Sequence, residues 1–144
     1  MQTEPRELDK TIIHVRIYQM KNTRCIGSKY LKSTFLKDYK MIFSHPNKLN
    51  KFGYANVIKK KESKVAGAVW KITKVHEKIL DRYEDFPNSY QKKYFYLNGK
   101  RIMFYIMNKY FIKKPPISYI NTITEGYKNC NIDLNYTNSF TYKK

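Results

Sequence analysis

The sequence predicts an α+β protein built on a mixed sheet, curled into a barrel, with helices beside it. Three observations carry this reading. Strand-like runs follow one another for most of the first half of the chain, so strands neighbour strands rather than alternating with helices. The apolar period then changes once, from two to about 3.6, across residues 73–85. Finally, Asn98-Gly99 separates two aromatic-rich runs. That pair marks a tight hairpin, because both central residues of such a turn need positive φ.

Taken in order, the first ten residues are polar and are expected to be loose. "TIIHVRIY" (11–18) alternates as a strand does. "STFLKDYKMIFS" (33–44) reads as one or two short strands with a turn near Lys37-Asp38. "SHPNKLNKFG" (44–53) is loop by its Pro, Asn and Gly content. "YANVIKK" (54–60) and "VAGAVWKI" (65–72) are strands around a turn at Lys59-Lys60-Lys61 and Lys64. The second is almost continuously apolar, so it belongs at the centre of the sheet, buried on both faces. In "TKVHEKILDRYED" the residues Val75, Ile79, Leu80 and Tyr83, with Ile72 just before, form one helical face. Thr73 can cap this helix, and Pro87 and Asn88 stop it. Strands over 90–97 and 100–108 flank the Asn98-Gly99 turn, and Pro115-Pro116 closes the unit. "ISYINTITEGYK" (117–128) is a short helix with Gly126 at its expected C-cap.

The 144 residues suit a single domain, 1–144. With 42% hydrophobic and 16% aromatic residues, the chain can build a core. The apolar run Ile102-Met103-Phe104-Tyr105-Ile106-Met107 is too short to span a bilayer. The polar N-terminus lacks the layout of a signal peptide, so a cytoplasmic protein with no membrane partner is expected. Cys25 and Cys130 have no metal-ligand spacing and read as free thiols; His14, His45 and His76 are too scattered for a metal site. The net charge of +18 has two readings, a footprint for nucleic acid or a solvated surface. The positive residues are mostly lysine and are spread along the chain, with no zinc-finger, basic-zipper or RNA-recognition signature. The solvated surface is therefore preferred, and a basic nucleic-acid-binding module is kept as an alternative.

One stretch stands out chemically. "ILDRYEDFPNSY" (79–90) places Asp81, Glu84 and Asp85 within five positions, in a chain with only 11 acidic residues against 29 basic ones. They fall at the end of the expected helix. There the helix dipole and the neighbouring carboxylates disfavour an ionised Glu84, and Phe86 and Tyr90 can shield it. The plainer reading is a solvated helix end facing lysines.

The order of motifs adds to this. "GAVWKI", a short helix, "LDRYED", Tyr90, a hairpin ending in "FYIMN", "PP", "SYINTITEGYKN" and "NIDLNY" together resemble the γ-glutamylcyclotransferase family over about residues 53–136. "STFLKDYKMIF" adds a weaker match before them. The resemblance implies a small mixed β-barrel with flanking helices. It also implies a small-molecule γ-glutamyl substrate that cyclises to 5-oxoproline and releases an amine, with no metal or organic cofactor. Glu84 falls on the family's general acid/base, and Asp85 stands where the family prefers Gly.

The family also carries a Tyr-Gly-Ser-Asn loop after its first strand, whose backbone N–H groups cradle the substrate. That motif does not occur in this chain, and three placements of the loop stay open. Tyr18-Gln19-Met20-Lys21-Asn22 can occupy the loop, with Gln19 for Gly and Met20 for the hydroxyl residue. Counting back from Arg24-Cys25 puts Ile12-Ile13-His14-Val15 there. In the third, Met1–Glu4 follows the loop and the first strand is missing. The substrate-binding residues expected from the resemblance are Tyr18, Gln19, Met20, Tyr90 and Tyr119, with Tyr105 as either a pocket or a packing residue. A protein of the same fold with a remodelled, inactive binding site is the alternative to an enzyme.

Overall fold

The computed structural model describes residues 10–14 and 26–135 of the chain. The strands are β1 (Lys10–His14), β2 (Lys29–His45), β3 (Tyr54–Ile72), β4 (Tyr90–Leu97), β5 (Lys100–Met107) and β6 (Phe111–Ile112). Helix α1 (Lys74–Tyr83) joins β3 to β4, and helix α2 (Ile117–Asn129) follows β6. The strands form one sheet in the order β4-β5-β1-β3-β2-β6. It is mixed, because β1 runs antiparallel to β3 and parallel to β5.

The sheet must curl. β5 and β6 lie far apart in the sheet order, yet only residues 108–110 connect them. The Met107 N–H at the end of β5 donates to Asn56 Oδ1 in β3 at 2.9 Å. Gly53 permits the close approach of the last strand. A Cβ there would sit 2.7 Å from Ser44 N and 2.8 Å from Lys113 Cβ. The hydrophobic core gathers Leu36, Phe43, Val57, Val69, Trp70, Ile102 and Phe104 of the sheet, with Leu80 of α1 and Ile123 of α2. As the apolar run predicts, Val65–Trp70 is buried throughout.

The hairpin forms as expected, with Asn98 at φ 52° and Gly99 at φ 79°. Two other expected turns do not form. β2 is one strand through Lys37-Asp38, and β3 is one strand through the lysine run. Lys37 pairs with Lys64 and Tyr39 with Lys59, so Asp38 alone faces residues 60–63. This is a large bulge. Asp38 (φ 66°) and Glu62 (φ 69°) adopt left-handed backbone, and the Glu62 N–H donates to Asp38 Oδ1 at 3.0 Å. A bulge needs the same polar, turn-tolerant residues as a turn, and the sequence does not separate the two.

The end of α2 is also corrected. Gly126 is buried inside the helix, and Cys130 is the C-cap. Asn131 takes the left-handed position at φ 58°. Its N–H donates to the Lys128 carbonyl, and the Ile132 N–H to the Tyr127 carbonyl, at 3.2 and 2.8 Å. This is the hydrogen-bond pair of a Schellman motif. Cys130 is buried and forms no disulfide among the described residues; Cys25 lies outside them. Among the described residues, no helix is long and apolar enough to cross a membrane.

Candidate active site

Helix α1 is fixed at both ends. Thr73 Oγ1 accepts from the His76 N–H at 3.0 Å, and His76 Nδ1 accepts from the Thr73 N–H at 3.1 Å, a reciprocal capping box. The second ring nitrogen, Nε2, then carries the hydrogen and donates to the Ile26 carbonyl at 2.9 Å. The buried stripe of the helix is His76, Leu80 and then Glu84 at the C-cap, spaced four residues apart. The expected apolar face is wrong in part. Val75 is 65% exposed and Tyr83 58% exposed, because two of the three stripe positions hold polar residues.

Glu84 is only 2% exposed. Its N–H donates to the Leu80 carbonyl at 2.9 Å. The next residue, Asp85, sits at φ 53° and turns the chain sharply. That backbone favours Gly, and Asp is among the residues that tolerate it. Here the Asp85 carboxylate also accepts from Ser89 Oγ at 2.8 Å, and its carbonyl accepts from the Ser89 N–H at 2.7 Å. The turn delivers Tyr90 to the start of β4.

Glu84 and Tyr90 line one cleft of about 690 Å³. This is an ordinary size for a small-molecule site. Asp85 and Ser89 belong to the same stretch of wall. A second stretch comes from the end of β2 and the loop after it, His45 to Lys48, together with Lys109 and Phe111. Tyr54 and Met107 complete the lining. The sequence singled out Glu84 and Tyr90 for this site but not His45, Lys48, Lys109 or Phe111.

The three clustered carboxylates have three different surroundings. Asp81 faces the sheet, where it accepts from Tyr105 Oη at 2.7 Å and lies 3.0 Å from Lys92 Nζ. Lys92 also reaches Glu77 at 2.7 Å. Burial alone would lower the Lys92 ammonium, but its bonds to Glu77 and Asp81 raise it above the ordinary value. The Tyr105 hydroxyl is pushed well above the usual range, first by burial, then by its bond to Asp81 and the charges of Asp81, Glu84 and Glu77. Tyr105 is therefore a packing residue of this network and does not line the cleft.

Tyr90 Oη points to the Ala55 carbonyl at 3.5 Å, and its ring meets Tyr105 edge-on at 6.5 Å. Tyr119 stands behind the cleft rather than in it. Its Oη accepts from the Ala55 N–H at 3.0 Å, and its ring packs edge-on against Tyr54 at 5.0 Å. It thus supports a lining residue. Tyr18, Gln19 and Met20 lie outside the described residues. Ile12–His14 lie in strand β1, not in a loop, which corrects the placement that put the loop there.

Comparison with known proteins agrees with this architecture. A sequence model of the γ-glutamyl cyclotransferase, AIG2-like family matches residues 10–126. Among solved structures, one described as a γ-glutamyl cyclotransferase superposes with a TM-score of 0.77 at 20% identity, covering 90% of this chain and 84% of that one. An uncharacterized protein from Homo sapiens gives 0.74 at 20% identity with the same coverages. YkqA from Bacillus subtilis gives 0.70 at 12% identity, covering 90% of this chain and 51% of that one. At these identities the structures show a shared fold. No curated protein matches the chain. The family match spans most of the sequence, from β1 into α2, and the chain belongs to the γ-glutamyl cyclotransferase, AIG2-like family.

Proposed function

We propose that the protein is an enzyme that converts a γ-glutamyl amide or peptide to 5-oxoproline and a free amine, with Glu84 as general acid/base. The observation that carries this reading is a buried carboxylate lining an open cleft. In the reaction the α-ammonium of the substrate gives a proton to Glu84. The amine then attacks the γ-carbonyl carbon, a C–N bond forms, and the carbonyl oxygen takes the negative charge. As the oxyanion collapses, the bond to the leaving nitrogen breaks and Glu84 returns the proton to that nitrogen; Glu84 then takes the surplus proton of the ring nitrogen and passes it on, so that the neutral lactam remains and the amine departs as an ammonium. One carboxylate serves both transfers because both nitrogens flank the same carbon. The intramolecular attack needs only that the cleft hold the substrate curled.

Tyr90 would pack against the glutamyl chain. The segment Tyr18–Asn22 would hold the charged end of the substrate and the oxyanion. The chemistry calls for a small γ-glutamyl molecule and no metal, and suits a cytoplasmic setting. The test is to measure 5-oxoproline and amine release from a panel of γ-glutamyl amino acids, amines and short peptides. Stoichiometric release from at least one member is expected. No release from any, with binding retained, would favour a binding protein of the same fold.

A further inference from the structure

The cleft is charged differently along its lining. Glu84 is buried and Asp85 lies beside it, whereas Lys48 and Lys109 are both exposed. Neither lysine forms an ion pair among the described residues. Lys48 is held through its backbone, whose carbonyl accepts from Lys113 Nζ at 2.6 Å. Lys109 Nζ lies 5.6 Å from the centre of the Phe111 ring, itself part of the lining. Half-buried His45 belongs to the same stretch. Its Nδ1 accepts from the Asn47 N–H at 2.9 Å, so in the neutral ring the hydrogen sits on Nε2. Nε2 makes no hydrogen bond among the described residues.

We infer that His45, Lys48 and Lys109 form a carboxylate-recognition wall for the leaving half of the substrate, so that the favoured substrates are γ-glutamyl amino acids or peptides rather than γ-glutamyl amines. The inference rests on the reaction proposed above. That reaction needs the α-amine, the γ-carbonyl and the leaving nitrogen together at Glu84. Since Glu84 is buried, the curled glutamyl head occupies the sheltered part of the cleft. The leaving group then extends toward the exposed lysines. A carboxylate there meets two ammonium groups and one N–H donor. A neutral amine gains nothing from them, and a cationic one is repelled.

The experiment compares γ-glutamyl-alanine with γ-glutamyl ethylamide, which share the glutamyl head and differ by one carboxylate. The first readout is the ratio of their kcat/KM values for 5-oxoproline release. The second is the ratio of their affinities for the Glu84→Gln variant, by calorimetry. Exposed ion pairs are individually weak, so a preference on the order of tenfold for γ-glutamyl-alanine is expected, shrinking as salt is added. In the Lys48→Gln/Lys109→Gln double variant both ratios should fall toward one. His45→Leu should lower them by a smaller factor; an unchanged ratio would remove His45 from the wall. Equal use of the two substrates by the unmodified protein, or a preference untouched by the double variant, would overturn the inference and leave the cyclisation reading intact. If neither compound turns over, the reading of the reaction fails, and the affinity ratio still decides whether the wall selects a carboxylate.

Discussion

The two stretches that line the cleft are built by different means. The Glu84–Tyr90 stretch is held by backbone: a capped helix, a left-handed Asp85 and hydrogen bonds from Ser89 back to Asp85. Its key carboxylate is buried. The His45–Lys48 stretch, with Lys109, ends in exposed lysines borne on loops. The contrast reflects the chemistry each would serve. Proton transfer needs an atom placed to a fraction of an ångström, which long solvated side chains do not provide. Recognition of a charge tolerates such freedom, because it depends on proximity more than on alignment.

The largest effect is expected from displacing the Glu84 carboxylate without removing it. Glu84→Asp shortens the side chain by one methylene in a wall that cannot follow. A displacement of about 1 Å costs on the order of 10²-fold, so kcat for 5-oxoproline release should fall by about that factor with KM little changed. Comparable kcat would mean that the wall is not rigid.

The second wall depends on Gly53, next to the lining residue Tyr54. Gly53→Ala would bring a Cβ to 2.7 Å from backbone Ser44 N. It should cost about 1–3 kcal/mol of stability, read from denaturant unfolding, by forcing β2 and the segment after β6 apart. An unchanged midpoint would show that the close approach is not required.

On the first wall, His76→Ala removes half of the capping box and the bond to the Ile26 carbonyl. A loss of about 0.5–2 kcal/mol is expected from the cap, with the midpoint of thermal unfolding as the measure. The smallest effect concerns the network behind Glu84. Below the ordinary tyrosine value of 10.0, Tyr105 is protonated in both folded and unfolded chains. Above it the unfolded chain releases the proton while the folded one keeps it, so stability falls as pH rises. Tyr105→Phe should flatten that alkaline decline without abolishing it, since burial also raises Tyr127. An identical slope would place Tyr105 outside the coupled network.

How far the sequence could be read depended on whether a residue had one local cause. Asn98-Gly99 was legible because few residue pairs accept two positive φ angles. Thr73 was legible as a cap for a similar reason. The inward face of α1 was not, because it carries His76 and Glu84, and apolar periodicity cannot see a polar stripe. Asp38 and the lysine run looked like turns because bulges use the same residues. Glu84 stood out in a carboxylate-rich stretch, and both Glu84 and Tyr90 were placed by the order of motifs over about residues 53–136 that carries the family resemblance. His45, Lys48, Lys109 and Phe111 come from separated segments and meet only after the sheet curls, so no local pattern announces them.

The proposed role of Glu84 as the proton carrier is decided by measuring 5-oxoproline release and ligand binding side by side for the unmodified protein and Glu84→Gln. Gln keeps the shape and cannot shuttle a proton. The expected result is turnover reduced by about 10²–10⁴-fold, with γ-glutamyl ligand affinity and the fold retained. Equal turnover in the Gln variant would contradict it.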